Sequence, residues 1–372
     1  MRTKTIRLLG KAVRQQGRLV EATRLLQKAL IGPALAIPPV ETAKALAARL
    51  GWPMPAPPAA PTKRPAGPAT GRPAARAAVP HPGSSFEAST HSVDGVTRQY
   101  KLYVPSSPAT TPALVVMLHG CTQDADDFAA GTRMNTFAER DGFLVLYPQQ
   151  SRDANAHGCW NWFNRRDQQR DTGEAGFIAD LIREVAAAHR VDPARIYVAG
   201  LSAGGAMAAI VASEYPDLIA AAGIHSGLPA GAAGNLPDAL TAMRNGGGRK
   251  ILSTYASGVA SPGLPPVPTI VFHGDADRTV HASNGEQLVS AVLDRVAGAT
   301  TVRPPSAAAT TDRHTRTDHV DGAGDTLVEH WLLHGAGHAW SGGDPAGSYV
   351  DPQGIDASAE MVRFFRAHPQ KR

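Results

Sequence analysis

At 372 residues with 43 % hydrophobic content, the chain can build one large domain or two smaller ones, and no apolar stretch is long enough to cross a bilayer. The net charge of +5 is uneven, because residues 1–80 hold 14 Lys/Arg against only Glu21 and Glu41 and the remainder is net acidic. That distribution argues against a nucleic-acid groove, which needs clustered cations, and two cysteines are too few for a multi-cysteine zinc site.

The chain opens on a basic arm, residues 1–50. Ile6, Leu9, Val13, Leu19, Leu25, Leu26 and Leu30 recur there at loosely helical spacing, which predicts a short amphipathic helix or helix pair. The arm reads either as a solvated or lightly docked helix or as one that meets an anionic or apolar surface. The start, "MRTKTIRLLGKAVRQQG", holds no continuous apolar run and no small-residue cleavage site, so a secretory signal is not expected. Between Pro53 and Pro82 stand ten prolines and almost no large apolar side chains. Residues 51–85 are therefore expected to be an extended linker that cannot offset its ordering entropy by burial, with the main folded domain over 86–372.

Beyond the linker, β-rich runs alternate with helical ones. "TRQYKLYVP" (Thr97 to Pro105) has period-two character, and "ALVVMLHG", "GFLVLYP", "RIYVAG", "AAGIHSG", "PTIVFHG" and "LVEHWLL" follow. Several are apolar throughout, as strands covered on both faces are. Helical patterns lie over Gly176 to His189, Ala203 to Tyr215 and Ala357 to Ala367. The alternation predicts an α/β fold, a mostly parallel sheet flanked by helices on both faces. Residues 228–266 and 301–325, rich in Gly, Ala, Pro and Thr, are expected as insertions forming lids or rims.

In such sheets ligand-binding groups collect at the carboxyl ends of strands. Gly200-Leu201-Ser202-Ala203-Gly204 is G-x-S-x-G between a predicted strand and a predicted helix, the arrangement that presents a serine nucleophile on a cramped turn. A serine hydroxyl needs a base, and the base an orienting carboxylate. "HGDADRTV" supplies Asp275 and Asp277, of which Asp277 is the candidate and Asp275 suits an Asx-turn or cap. "HGAGHAWSGG" supplies His338 in a Gly-rich loop, with His334 still at the strand end. The order Ser202, Asp277, His338 is that of an α/β-hydrolase. Two oxyanion donors are expected from the backbone N–H groups of Ala203 and of Cys121 in "LHGCTQ". Cys121 and Cys159 are either free thiols or one disulfide, which would lock that loop. Trp160, Trp162 and Trp340 are candidate walls of an apolar substrate groove, with core packing as the competing reading.

Together "LHGCTQ", "GCWNWF", "DTGEAGFIADLI", "VDPARIYVAGLSAGGAM", "HGDADRTV" and "GAGHAWSGG" make residues 85–367 resemble the esterases that include short-chain poly(3-hydroxybutyrate) depolymerases and feruloyl or acetylxylan esterases. The resemblance implies a serine esterase with Ser202, Asp277 and His338 as triad, an ester or polyester as substrate, and no metal or organic cofactor. It also implies action outside the cell, as a disulfide would, whereas the lack of a visible leader points to the cytoplasm. Oligomeric state is not legible.

Overall fold

The computed structural model describes residues 81–246, 264–296, 299–302 and 313–371. The expected helical arm and almost all of the linker lie outside the described residues.

Ten strands form one sheet in the order β1-β2-β4-β3-β5-β6-β7-β10-β9-β8. In chain order they are β1 (Ser85–Val93), β2 (Val96–Val104), β3 (Leu114–Leu118), β4 (Leu144–Pro148), β5 (Ile196–Leu201), β6 (Ala221–His225), β7 (Thr269–Gly274), β8 (Thr300–Val302), β9 (His314–Val320) and β10 (Thr326–Leu333). The centre, from β4 through β10, is parallel, while β1 and β2 at one edge and β8 and β9 at the other run antiparallel.

Every residue of β3, β4, β5, β6 and β7 is buried, as the uninterrupted apolar runs require. Alternation divides each strand between two cores. Leu114, Val116 and Leu118 face α3 (Gly173–Ala188) and α4 (Ala203–Glu214). Val115 and Met117 face α1 (Ala125–Thr132), α2 (Met134–Asp141) and α7 (Ala357–Ala367). Each fully buried Val, Leu or Phe side chain stabilises such a layer by about 1.5–3 kcal/mol, which is why helices occupy both faces.

Two further helices, α5 (Leu236–Asn245) and α6 (Ser283–Leu293), follow β6 and β7. The Asn235 side chain caps α5 by accepting from the Asp238 amide. The expected insertion at 228–266 is thus partly helix, and its residues 247–263 lie outside the described residues.

The expected rim at 301–325 is corrected. Residues His314–Val320 are β9, paired antiparallel along β10. Their sequence "HTRTDHV" is polar because β9 lies next to the sheet's edge, covered beyond only by the three-residue β8. Such a strand carries charge where a central strand cannot, so it reads as loop. Arg316 bridges Asp318 (2.7 Å) and the buried Glu329 (3.0 Å) on β10. Edge strand β1, with four exposed residues in a row, gave no apolar signal for the same reason.

The chain moves from β3 to β4 on one side and to β5 on the other. That reversal is a topological switch point, and it opens a crevice at the carboxyl ends of β3 and β5. Leu118 and Gly200 are register partners at that end.

Candidate active site

Ser202 follows β5 directly and precedes the first residue of α4. Its backbone has φ 58° and ψ −120°, a region an L-residue occupies only when its surroundings over-determine it. The surroundings are explicit. A Cβ on Gly200 would lie 2.4 Å from the Gly204 carbonyl group, and one on Gly204 only 2.0 Å from Leu118 O. The spaces on either side of the serine thus belong to backbone, and the two glycines of the motif are steric necessities. The half-buried hydroxyl is left at the amide end of a helix.

His338 stands in the loop after β10. Its Nδ1–H donates to Asp277 Oδ2 at 2.7 Å. Asp277 Oδ1 accepts from the amides of Thr279 (2.8 Å) and Val280 (2.9 Å). Burial opposes ionisation of this carboxyl, but the His338 ring and the two amides outweigh it and hold its pKa below the usual carboxylate range. A carboxylate only accepts, so the imidazole proton is on Nδ1 and the Nε2 lone pair is free. Among the described residues neither Ser202 Oγ nor His338 Nε2 carries a hydrogen bond, and catalytic hydrogen bonds often form only once substrate is bound. Asp275 and His334 instead pair with each other at 3.1 Å, and Asp275 also accepts from the Gly335 amide at 2.7 Å.

The loop after β3 lies against the elbow, since a Cβ on Gly120 would be 3.6 Å from Ser202 Cβ. Neither the Cys121 amide nor the Ala203 amide has a hydrogen-bond partner among the described residues. For Ala203 this follows from its place in the first helical turn, where no carbonyl lies one turn back. For Cys121 it follows from how the loop is held. Gln123 Oε1 takes the Gly120 amide (2.9 Å), and the Thr122 amide donates to His157 O (2.8 Å). Cys121 is bonded to Cys159 in a disulfide. On the far side of that bridge the Cys159 carbonyl accepts from Gln150 Nε2, and the 1 % exposed Glu174 accepts from Gln150 and from Asn161.

Replacing Cys159 with serine is expected to cost about 2–4 kcal/mol in stability and to lower kcat on soluble esters by about tenfold or more, since a misplaced oxyanion donor costs more than that. Urea unfolding and initial rates measure the two effects. An unchanged kcat would show that Gln123 and its neighbours hold the loop unaided.

The expected groove walls are corrected. Trp160, Trp162 and Trp340 are 0 %, 5 % and 1 % exposed and offer almost no surface to a ligand. Trp340 stacks on His225 at 5.2 Å, meets Phe128 edge-on at 5.5 Å, and donates its Nε1–H to Ser358 Oγ at 3.1 Å. Large rings near a site buttress its loops as readily as they line it, and sequence does not separate the two.

Three histidines to which the sequence assigns no role organise the site. His119, His225 and His273 each end an apolar strand just before a glycine or Ser-Gly pair, and that repeated strand-end pattern was the available signal. Burial lowers the pKa of all three, His225 to about 3. As neutral rings they tie loop backbone. His119 Nε2 accepts from the Gln150 amide (3.1 Å), so its Nδ1–H donates to Gly120 O (2.8 Å). In a trans peptide the C=O and N–H point opposite ways, so this bond also aims the Cys121 amide. His225 accepts the Ser202 amide on its carbonyl (2.9 Å) and the Ser341 amide on Nε2 (3.1 Å), joining the serine elbow to the histidine loop. His273 donates Nε2–H to Val280 O (2.8 Å), 3.8 Å from Asp277.

A strand-turn-helix serine beside a parallel-sheet switch point, with an imidazole–carboxylate pair on later strand ends, places the molecule among the α/β-hydrolases. The solved acetyl xylan esterase from Aspergillus awamori shares that fold, with a TM-score of 0.59 at 19 % identity over 76 % of this chain and 99 % of that one. The Esterase PHB depolymerase family model matches residues 98–315, more than half of the chain, and the chain belongs to that family. Poly(3-hydroxyalkanoate) depolymerase C of Paucimonas lemoignei is 32 % identical over 71 % of this chain and 65 % of its own. A probable acetylxylan esterase A of Aspergillus fumigatus is 29 % identical over 49 % of this chain and 51 % of its own. The chain thus spans about half to two thirds of the length of these curated relatives.

Proposed function

We propose that the protein is a serine carboxylic ester hydrolase acting on hydroxyalkanoate polyesters or their oligomers. The carrying observation is the 2.7 Å bond from His338 to the ionised Asp277. The strand-end serine, and the Ala203 and Cys121 amides that have no partner among the described residues, support the same reading. His338 Nε2 takes the proton of Ser202 as Oγ attacks the ester carbonyl. The amides of Cys121 and Ala203 hold the oxyanion, and His338 returns the proton to the leaving alcohol. Water then hydrolyses the acyl-enzyme with the same roles reversed. Every proton moves among Ser202, His338, the leaving alcohol and water, so the chemistry calls for no cofactor. The reading takes residues 86–372 as the catalytic unit.

The named activity of the Paucimonas lemoignei relative supports a polyester substrate, and that of the Aspergillus fumigatus relative supports acetylated xylan as the second reading. Initial rates on hydroxybutyrate trimer, tributyrin, acetylated xylan and methyl ferulate separate them. The trimer is expected to show the highest kcat/KM. A preference of about tenfold, or 1.4 kcal/mol in the barrier, for a sugar or ferulate ester would overturn the substrate assignment. Failure of a fluorophosphonate probe to label Ser202 would overturn the class.

A further inference from the structure

We infer that Tyr349 is the aromatic contact for the substrate units flanking the scissile ester, resting on the polyester reading above. The three tryptophans that looked suited to this work are buried, whereas Tyr349 is 46 % exposed and lies between the two loops that frame the site. Its phenol oxygen is 3.1 Å from Thr122 Oγ1, the residue after Cys121. Its carbonyl accepts from the Trp340 amide at 2.7 Å, two residues after His338. Tyr349 therefore ties the two loops together, its hydroxyl on the oxyanion side and its backbone carbonyl on the histidine side.

The frame around it is rigid. Ser348 gives its amide to Asp127 (2.9 Å) and its carbonyl to Gln123 Nε2 (3.1 Å). On the other side Val350 pairs with Trp340 in a two-stranded ribbon, β11 (Trp340–Ser341) with β12 (Val350–Asp351). A Cβ on Gly347 would lie 2.4 Å from the backbone of Gly131, so the segment is clamped onto α1. Within this frame Tyr349 holds φ 52°, a left-handed conformation that a bulky side chain avoids unless its neighbours impose it. The result is a fixed, solvent-facing ring with its hydroxyl already engaged and a face left open. Such a face suits an aliphatic ester repeat, which offers methyl and methylene groups and few donors.

The test compares Tyr349→Ala and Tyr349→Phe with the parent enzyme on hydroxybutyrate trimer and p-nitrophenyl acetate. Tyr349→Ala is expected to raise KM for the trimer by about tenfold, the loss typical of a truncated aromatic anchor, while kcat/KM for the acetate stays within about twofold. Tyr349→Phe keeps the ring face and is expected to keep the trimer KM. Equal losses on both esters, a Phe variant as poor as the Ala variant, or no change in trimer KM would each overturn the inference. A parent enzyme that cleaves the acetate but not the trimer would sink the polyester reading instead. The ratio of p-nitrophenyl octanoate to acetate turnover then decides Tyr349 separately, with the same selective tenfold loss expected for the Ala variant.

Discussion

Alanine at position 202 is expected to lower kcat on a soluble ester by about 10⁴-fold or more, the loss seen when a triad nucleophile is removed. The variant loses one oxygen from a half-buried site and nothing from the core. Ser202 contributes its amide to His225 O and its carbonyl to the Ala206 amide, and alanine keeps both. Folding should therefore be unchanged within the error of a thermal melt. Residual turnover should remain above the uncatalysed rate, because the Cys121 and Ala203 amides and the binding surface survive. A variant with near-parental kcat would mean that another group attacks the ester. Loss of fluorophosphonate labelling alongside loss of turnover would tie both to the same oxygen.

Asparagine at position 277 is expected to cost about 10⁴-fold in kcat, for a reason the geometry makes specific. One oxygen of Asp277 is held by the amides of Thr279 and Val280, and the other faces His338 Nδ1. An asparagine that keeps its oxygen on the two amides must turn its NH₂ toward Nδ1. Nδ1 then becomes the acceptor, the ring proton moves to Nε2, and the imidazole no longer offers a lone pair to Ser202. The opposite rotamer leaves the Thr279 and Val280 amides facing an NH₂ group in a site 5 % exposed, which costs about 1–3 kcal/mol per unsatisfied donor. Either outcome suppresses turnover. Initial rates with a thermal melt distinguish them, since only the second lowers stability. Near-parental kcat would show that His338 needs no carboxylate partner here.

The site's ingredients were more legible than its walls. Ser202 announces itself because a strand, a turn and a helix in sequence are all local, and the crowding that demands glycine at 200 and 204 is carried by the same short stretch. Asp277 could be favoured over Asp275 from the return "RTV" that follows it, although only the fold shows the Thr279 and Val280 amides gripping it while Asp275 caps the loop at Gly335. The tryptophans are not legible in this way, because aromatic content near a motif carries no information about which side of a loop the ring occupies. His119, His225 and His273 passed unnoticed because each acts on backbone that is distant in sequence or hidden inside a loop.

Sequence by itself determined the apolar strands, the helices between them, the cramped serine turn and the order in which alcohol, carboxylate and imidazole are met along the chain. These depend on neighbours within a few residues, where period and steric volume can be read directly. Tertiary structure alone decided that the polar β9 is a strand of the sheet, paired along β10, and that Cys121 is bridged to Cys159. It also decided that Trp160, Trp162 and Trp340 are buried while Tyr349 is exposed. Burial and long-range hydrogen bonding set these outcomes, and both are properties of what the chain packs against rather than of any one segment.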